Sequence, residues 1–369
     1  MLPSPAGVVA ASALLQPHIV RTPLLECRLF NEKFLGGHGR RLLLKAECLQ
    51  VTGSFKYRGA LHRLLRLRAD DPDSVGRGVV AFSSGNFGQA LAAASTSLGI
   101  RCAIVSPHDA PMLKLDRIRG YGADLRVSNA GPGVNREVAA SEMARDISEG
   151  EGMTLLHPFE DVHVVHGQGS AGVELLEQAR EALRDPGGTE EDPPHIPLDT
   201  IVVPCGGGGL TAGINLAVEA ASLSRSVGVV TVEPSGYDDH AHSFRSPGKG
   251  RLTLAEVYPL GSPPPGGGRS QECDALMAGA PGLITWAVNG PRLKGALASA
   301  GDSSVARAMR VAFDHFRVVL EPSGALALAA LLDGDVAVER GKAVCVVASG
   351  GNIDMATFAR LMGCSQKDG

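Results

Sequence analysis

The chain has 369 residues, of which 44% are hydrophobic and 20% charged, and its formal net charge at pH 7 is −4. This length is enough for a large buried core and predicts two lobes or domains. The sequence has no dense basic run, which argues against nucleic acid as the main partner, and no apolar run approaches the roughly 20 residues that span a bilayer. Plentiful glycine (47 residues) and proline (23 residues) with few aromatic residues are typical of a loop-rich α/β enzyme.

The seven cysteines are odd in number, scattered, and without any C-x-x-C pair. This usage favours buried thiols in a reducing compartment over disulfides or zinc, and predicts a cytoplasmic protein. The segment Gly7–Leu15 faintly resembles the core of a signal peptide, but no positive charge precedes it. We therefore expect a surface helix there.

Short apolar runs alternate with segments of helical period along most of the chain. Seven of these runs predict strands, namely Arg40–Ala46, Gly78–Phe82, Cys102–Val105, Asp124–Val127, Thr200–Val203, Val227–Val232 and Ala343–Ala348. Several are followed by Gly or Ser and then by a helical segment, such as Asn86–Leu98 or Leu210–Leu223. This order predicts an α/β fold with doubly wound parallel sheets. The acidic, proline-rich Asp185–Pro197 and the Pro/Gly-rich Pro259–Arg269 predict loops.

Lys56 lies in the segment SFKYRGA, in the first turn of a predicted helix. The partial positive charge of a helix N-terminus disfavours an ammonium group and lowers the pKa of a lysine there. A lysine with an accessible neutral amine can carry out covalent catalysis. Taken alone, an ordinary solvated lysine is the more common explanation.

Two strand-to-helix turns carry Ser, Gly and Asn. Ser83-Ser84-Gly85-Asn86 follows the strand Gly78–Phe82, and Ser349-Gly350-Gly351-Asn352 follows the strand Ala343–Ala348. The N–H groups and hydroxyls of the first turn suit a carboxylate, and the Asn86 amide suits a phenolic oxygen. For either turn by itself, simple capping of the following helix is the better explanation.

A third turn, PCGGGGLT, joins the strand Thr200–Val203 to the next helix. Four consecutive glycines leave backbone N–H groups unshielded at a helix N-terminus, which favours a phosphate site over a merely flexible turn. The spacing matches neither G-x-x-x-x-G-K-[ST] nor G-x-G-x-x-G, so a nucleoside triphosphate or a dinucleotide is less favoured. Parallel sheets bring such turns together around one cleft at their carboxyl edge.

Five motifs in this order resemble those of a known family: SFKYRGA with Lys56, SSGNFGQA, CGGGGL, EPSGA (Glu321–Ala325) and SGGN. Together they are similar to the fold-type II pyridoxal-phosphate enzymes, and within them to the serine/threonine dehydratase and serine racemase group. The resemblance covers nearly the whole chain. It implies two doubly wound parallel-sheet domains with the active site in the cleft between them. We expect a large cofactor-binding domain of residues 1–76 and 158–369, and a small domain of residues 77–157.

The resemblance also implies roles for individual residues. Lys56 would bond covalently to the cofactor aldehyde and, once released by substrate, take the α-proton. The residues expected to hold the cofactor are Phe55, Lys56, Asn86, Gly206, Gly207, Gly208, Gly209, Leu210 and Ser349. Those expected to bind the substrate are Ser83, Ser84, Gly85, Asn86 and Glu321. A neutral hydroxyl at Ser349, facing the pyridine nitrogen, favours prompt loss of a β-hydroxyl over a long-lived carbanion.

Ser84 has a second implied role. In racemase members, the serine at this place faces the α-carbon from the side opposite the lysine and can return a proton. Its presence permits racemisation, but dehydratases of the group also carry it.

The segment Glu233-Pro234-Ser235-Gly236-Tyr237-Asp238-Asp239 resembles the part of the family that binds a divalent cation. The implied ligands are Glu233, the carbonyl of Tyr237, and Asp239. Ligation by oxygen alone suits Mg²⁺ or Ca²⁺ in a structural role. Without the resemblance, a solvated acidic turn would be the better explanation.

Two features depart from the family. Phe87 replaces the usual His after Ser-Gly-Asn, and the loop Pro259–Arg269 is unusual; both concern the substrate side chain more than the cofactor. We predict a homodimeric enzyme that converts L-serine, L-threonine or a related 3-hydroxy amino acid to a 2-oxo acid and ammonia. The alternatives are a serine racemase, alone or with dehydratase activity, a β-replacement enzyme, and a non-catalytic nucleotide or phosphate sensor. The sensor would give Lys56 no function.

Overall fold

The computed structural model describes residues 2–83, 85–108, 110, 112–129, 136–184, 197–259, 268–298 and 301–363. Ser84 and most of the two predicted loops, Asp185–Pro197 and Pro259–Arg269, lie outside these ranges.

The larger sheet has six strands. From one edge to the other they are β1 (Leu24–Glu26), β2 (Arg41–Lys45), β10 (Ala343–Val347), β7 (Leu198–Pro204), β8 (Gly228–Glu233) and β9 (Gly295–Ala298). Only β1 is antiparallel to its neighbour, with Leu25 opposite Leu44. The other pairs are parallel, for example Val344 beside Leu42 and Val202 beside Val346. The turns that follow β7 and β10 therefore lie at the same edge of the sheet.

The smaller sheet has four parallel strands. Their order is β5 (Asp124–Ser128), β4 (Cys102–Pro107), β3 (Val79–Phe82) and β6 (Thr154–Leu155). All seven predicted strands are present in the two sheets. The short strands β1, β6 and β9 were not predicted.

Helices cover both sheets. They are α1 (Pro5–Leu15), α2 (Arg28–Phe34), α3 (Lys56–Asp70), α4 (Pro72–Arg77), α5 (Asn86–Leu98), α6 (Met112–Gly120), α7 (Arg136–Glu151), α8 (Val162–Ala182), α9 (Gly209–Ala220), α10 (Asp239–Arg245), α11 (Leu254–Val257), α12 (Leu283–Asn289), α13 (Asp302–Val311), α14 (Pro322–Asp333) and α15 (Met355–Met362). The predicted helix Asn86–Leu98 is confirmed residue for residue. None of the helices in the described ranges combines the length and apolar character that a bilayer crossing needs.

Side chains that alternate along each strand fill separate cores on the two faces of its sheet. In the larger sheet, Leu42 and Leu44 join one buried cluster and Leu43 joins the other. In the smaller sheet, Val79 and Val80 divide in the same way. Burial on both faces explains why these strands are continuous apolar runs, and confirms the doubly wound α/β prediction. The six cysteines in the described ranges are free thiols.

Candidate active site

Lys56 begins helix α3 beside the turn that follows β10. The backbone N–H of Phe55 donates to the carbonyl of Ser349 at 3.1 Å, and Ser54 forms an isolated antiparallel bridge with Gly350. Ser349 is 5% exposed. The structure therefore brings together two motifs that are almost 300 residues apart in the sequence.

The amine of Lys56 points into the protein. Its Nζ donates to the carbonyl oxygen of Pro158 at 3.0 Å, and lies 5.1 Å from the ring centre of Phe55 and 5.9 Å from that of Phe87. Burial lowers the pKa of Lys56 to about 8, because water no longer solvates the ammonium form. A neutral amine is thus readily available, as covalent catalysis requires.

The glycine loop, residues 206–209, runs from β7 into the N-terminus of α9. The backbone N–H groups of residues 206–210 donate to no other group in the described part of the chain. Gly208 has φ of +86°, a conformation that side chains rarely adopt. A row of unpaired N–H groups at the start of a twelve-residue helix is a site for a phosphate.

Helix α12 holds the carbonyl side of this loop. Thr285 Oγ1 donates to the carbonyl of Gly207 at 2.6 Å, and Asn289 Nδ2 donates to that of Gly208 at 3.1 Å. These two hydrogen bonds fix the peptide groups of the loop, so its N–H groups keep a fixed direction. Neither Thr285 nor Asn289 is predicted from the sequence, because neither belongs to a motif.

The segment after β6 links Lys56 to the glycine loop. Pro158 accepts from Lys56, and the ring of the next residue, Phe159, would lie 2.5 Å from a Cβ placed on Gly207. His157 Nδ1 accepts the backbone N–H of Glu160 at 2.9 Å and so shapes this segment. The proximity of this segment to Lys56 is not predicted from the sequence.

The serine turn after β3 is partly used for capping. Ser83 Oγ accepts the N–H groups of Gly85 at 3.2 Å and Gly88 at 3.0 Å. The capping explanation therefore holds for the Ser83 hydroxyl. Open space lies beside Gly85, where an added Cβ would meet nothing within 4 Å. Ser84 lies outside the described residues.

Asn86 joins this turn to two others. Its Nδ2 donates to Glu321 Oε1 at 2.6 Å, and its Oδ1 accepts from Asn352 Nδ2 at 2.8 Å. Burial raises the pKa of Glu321 to about 7. Arg117, on α6, donates to Asn352 Oδ1 at 2.8 Å. Sequence reasoning groups Asn86 with Glu321 but misses Arg117, which carries no motif.

The predicted metal segment lies beyond the glycine loop. Glu233 ends β8 and is fully buried, and its two oxygens accept the backbone N–H groups of His240 (2.9 Å) and Ala241 (2.7 Å). Asp239 is 1% exposed, and its Oδ2 makes no hydrogen bond in the described part of the chain. The ring of Tyr237 packs under Arg269, 5.7 Å away.

These features fit a phosphorylated aromatic aldehyde. The desolvated amine of Lys56 suits the aldehyde, the unpaired N–H groups of residues 206–210 suit the phosphate, and the rings of Phe55 and Phe87 flank the amine. A sensor of free phosphate would need only the second of these features.

Comparison with known proteins agrees with this geometry. Residues 15–350 match the family model described as pyridoxal-phosphate dependent enzyme. A serine racemase of Dictyostelium discoideum is 32% identical over 349 residues, which is 94% of each chain. An L-threo-3-hydroxyaspartate ammonia-lyase of Saccharomyces cerevisiae is 32% identical over 98% of this chain and 97% of its own. The crystal structure of a threonine deaminase from T.th. has 35% identity and a TM-score of 0.77, covering 96% of this chain and 99% of that one.

These findings confirm the predicted fold class and pyridoxal phosphate as the cofactor. They also confirm the resemblance to a group in which both ammonia-lyases and racemases occur. The match covers nearly all of the chain. The chain therefore belongs to the fold-type II family of pyridoxal-phosphate dependent enzymes.

Proposed function

We propose that the protein is a pyridoxal-phosphate dependent ammonia-lyase that converts a 3-hydroxy amino acid, such as L-serine or L-threonine, to a 2-oxo acid and ammonia. The observation that carries the proposal is the desolvated amine of Lys56, which contacts the segment packed on the glycine loop. The relatives named as ammonia-lyase and as deaminase support this reaction class.

In the proposed reaction each residue has a limited task. The N–H groups of residues 206–210, which include that of Leu210 in the first turn of α9, bind the phosphate. Phe55 packs near the pyridine ring of the cofactor. Asn86 and Ser349 meet the ring's hydroxyl oxygen and nitrogen. Bound pyridoxal phosphate withdraws electrons from the substrate's α-carbon and makes its proton acidic. The amine of Lys56, with its lowered pKa, takes that proton.

The proposed substrate contacts follow from the serine turn. The N–H groups around Gly85, together with Ser83, Ser84 and Asn86, bind the substrate carboxylate, while Glu321 orients Asn86. The open space beside Gly85 supports this assignment. After the α-proton leaves, the β-hydroxyl departs as water, taking the proton that it needs from the cofactor phosphate. Hydrolysis of the resulting enamine then releases ammonia and the 2-oxo acid.

Serine racemisation is the second candidate, because the Dictyostelium discoideum relative is a serine racemase. In this case Ser84 returns a proton to the α-carbon from the side opposite Lys56. A Ser84→Ala variant that loses D-serine formation but still makes the 2-oxo acid would support racemisation by the wild type. A wild type that makes no D-serine would exclude it.

The direct test is a panel of L-serine, L-threonine and L-threo-3-hydroxyaspartate, assayed for ammonia and the 2-oxo acid. We expect release of both in equal amounts from at least one of them. Lys56→Ala should lose this activity and the visible absorbance of lysine-bound cofactor. Conversion of serine and sulfide to cysteine without 2-oxo acid would instead indicate β-replacement.

The proposal includes the predicted domains, residues 1–76 with 158–369 and residues 77–157. Support comes from the smaller sheet, which starts at Val79 and ends at Leu155. The homodimer and the cytoplasmic location also stay predictions. A divalent cation near the glycine loop belongs to the proposal as well, supported by the buried Glu233 and Asp239.

A further inference from the structure

A fully buried cluster of Cys205, Glu233 and His240 lies directly beneath the glycine loop. Cys205 is the residue before Gly206, and it is 1% exposed, while Glu233 and His240 are 0% exposed. One ligand atom from each lies within 4.8 Å of the other two. Within the described part of the chain, these three side chains form the one group of His, Cys, Asp or Glu with that spacing.

His240 is hydrogen-bonded to Glu233 in this cluster, and the spacing of the two atoms is also that of two ligands on one ion. His240 Nδ1 lies 3.2 Å from Glu233 Oε1 and 3.5 Å from Asp239 Oδ2. Zinc bonds to nitrogen and oxygen of about 2.0–2.1 Å put neighbouring ligands of a tetrahedral site about 3.4 Å apart. Asp239 Oδ2 makes no hydrogen bond in the described part of the chain and lies 3.5 Å from His240 Nδ1, so it is an oxygen that could make a fourth bond.

This donor set does not fit the Mg²⁺ or Ca²⁺ site that the sequence predicts. That site needs oxygen ligands from Glu233, the carbonyl of Tyr237, and Asp239. The two side chains that lie at ligand spacing from this carboxylate are a thiol and an imidazole, not further oxygen donors. Sulfur and nitrogen donors with a carboxylate select zinc or a similar ion rather than magnesium.

We propose that Cys205, Glu233 and His240 bind one Zn²⁺ ion in a structural role. Binding deprotonates the Cys205 thiol, whose proton passes to solvent. The ion ties the ends of β7 and β8 together under the loop. His240 transmits this constraint, because its Nε2 would lie 2.6 Å from a Cβ placed on Gly208.

The test uses the holoenzyme and needs no activity assay. The protein is treated with a chelator, dialysed against Zn²⁺ in the presence of excess Mg²⁺, and freed of unbound metal by gel filtration. Zinc per chain is then measured by mass spectrometry, and its ligands by X-ray absorption at the zinc edge. We expect one zinc per chain, with a sulfur neighbour at about 2.3 Å beside nitrogen and oxygen at about 2.0–2.1 Å.

A matched pair of variants identifies the sulfur. Cys205→Ser should lose the sulfur neighbour and retain zinc at least tenfold less tightly, whereas Cys345→Ser, at another fully buried cysteine, should keep both. If Cys205→Ser does not fold, the wild-type spectrum still decides.

Three results would overturn the proposal: no zinc retained against Mg²⁺, zinc with only oxygen and nitrogen neighbours, or a sulfur neighbour that persists in Cys205→Ser. The visible absorbance of lysine-bound cofactor, recorded on the same samples, keeps the outcome separate from that of the proposed function.

Discussion

Lys56 donates its hydrogen bond to the carbonyl oxygen of Pro158, the residue that precedes Phe159. The Phe159 ring in turn packs against Gly207, so the amine and the glycine loop share one short segment as a common support. A displacement of this segment would move the amine relative to the bound phosphate. Its position therefore bears on both cofactor binding and proton transfer.

Phe159→Ala tests this support. Removing the ring opens space beside Gly207. Because Phe159 is only partly buried, the cost should be smaller than that of about 3–5 kcal/mol at a fully buried site. We expect at least tenfold weaker retention of pyridoxal phosphate, measured by dialysis and visible absorbance, together with a lower melting temperature. Phe313→Ala, at a ring that is 43% exposed, is the control and should change neither quantity appreciably. Equal cofactor retention in the two variants would contradict the proposal that Phe159 supports the glycine loop.

The lowered pKa of Lys56 predicts a pH dependence for cofactor binding. Only the neutral amine attacks the aldehyde, and burial lowers the pKa to about 8. The rate at which apoenzyme recovers the visible absorbance should rise about tenfold per pH unit below 8 and level off above it. A rate that rises steadily to pH 10 would show that the amine is not desolvated.

The same shift predicts how stability changes with pH. Between about 8 and 10.5, unfolded apoenzyme still holds the proton that the folded protein has released. The free energy of unfolding should therefore gain up to about 1.4 kcal/mol per pH unit from this group. Lys56→Met should lack this rise in urea titrations, while Lys33→Met, at an exposed lysine, should keep it.

The sequence predicts the strands that are buried on both faces, because continuous apolar runs such as Ala343–Val347 are distinctive. It does not predict β1, β6 or β9, which have only three, two and four residues. Such short strands form because the sheet edge offers them partners. Their own residues show no pattern that separates them from loops.

The same limit applies to the site. Glycines and a lysine at strand ends carry a local signal, so Lys56 and Gly206 are identified from the sequence. Asn289 and Arg117 reach the site from helices through contacts that depend on the tertiary fold. His240 and Cys205 come together only when β7 and β8 pair, which explains why the sequence alone indicates inert thiols.

A buried ion network anchors helix α3 and thereby Lys56. Arg58 forms two hydrogen bonds to Glu47, at 2.7 and 2.8 Å, and two to Glu174, both at 2.8 Å, and it is fully buried. Glu47→Gln leaves part of the Arg58 charge unpaired in the interior, which should cost about 3–5 kcal/mol of unfolding free energy. Glu32→Gln, which breaks the exposed pair with Arg28, should cost no more than about 1 kcal/mol.

The pH dependence of this network has a definite sign. Burial alone would raise the pKa of Glu47, but the charge of Arg58 overcomes it and holds the pKa below its usual value. The stabilisation is therefore present at neutral pH and is lost as the pH falls below about 4.5. The Gln variant should show less acid-induced loss of stability than the wild type in urea titrations at descending pH.

Arg117 offers the sharpest test of the polar chain around Asn86. Its guanidinium donates a hydrogen bond to Asn352 Oδ1. Asn352 Nδ2 in turn donates to Asn86 Oδ1 and to the carbonyl of Thr52, each at 2.8 Å. Hydrogen bonds to charged groups contribute about 1.5–3 kcal/mol, so Arg117→Met should lower kcat/KM at least tenfold while Lys56 keeps its cofactor. Arg119→Met, on the same helix, breaks only an exposed pair with Asp116 and should retain full activity. An equal loss of kcat/KM in both variants would mean that α6 is merely destabilised, because only Arg117 contacts the chain that orients Asn86.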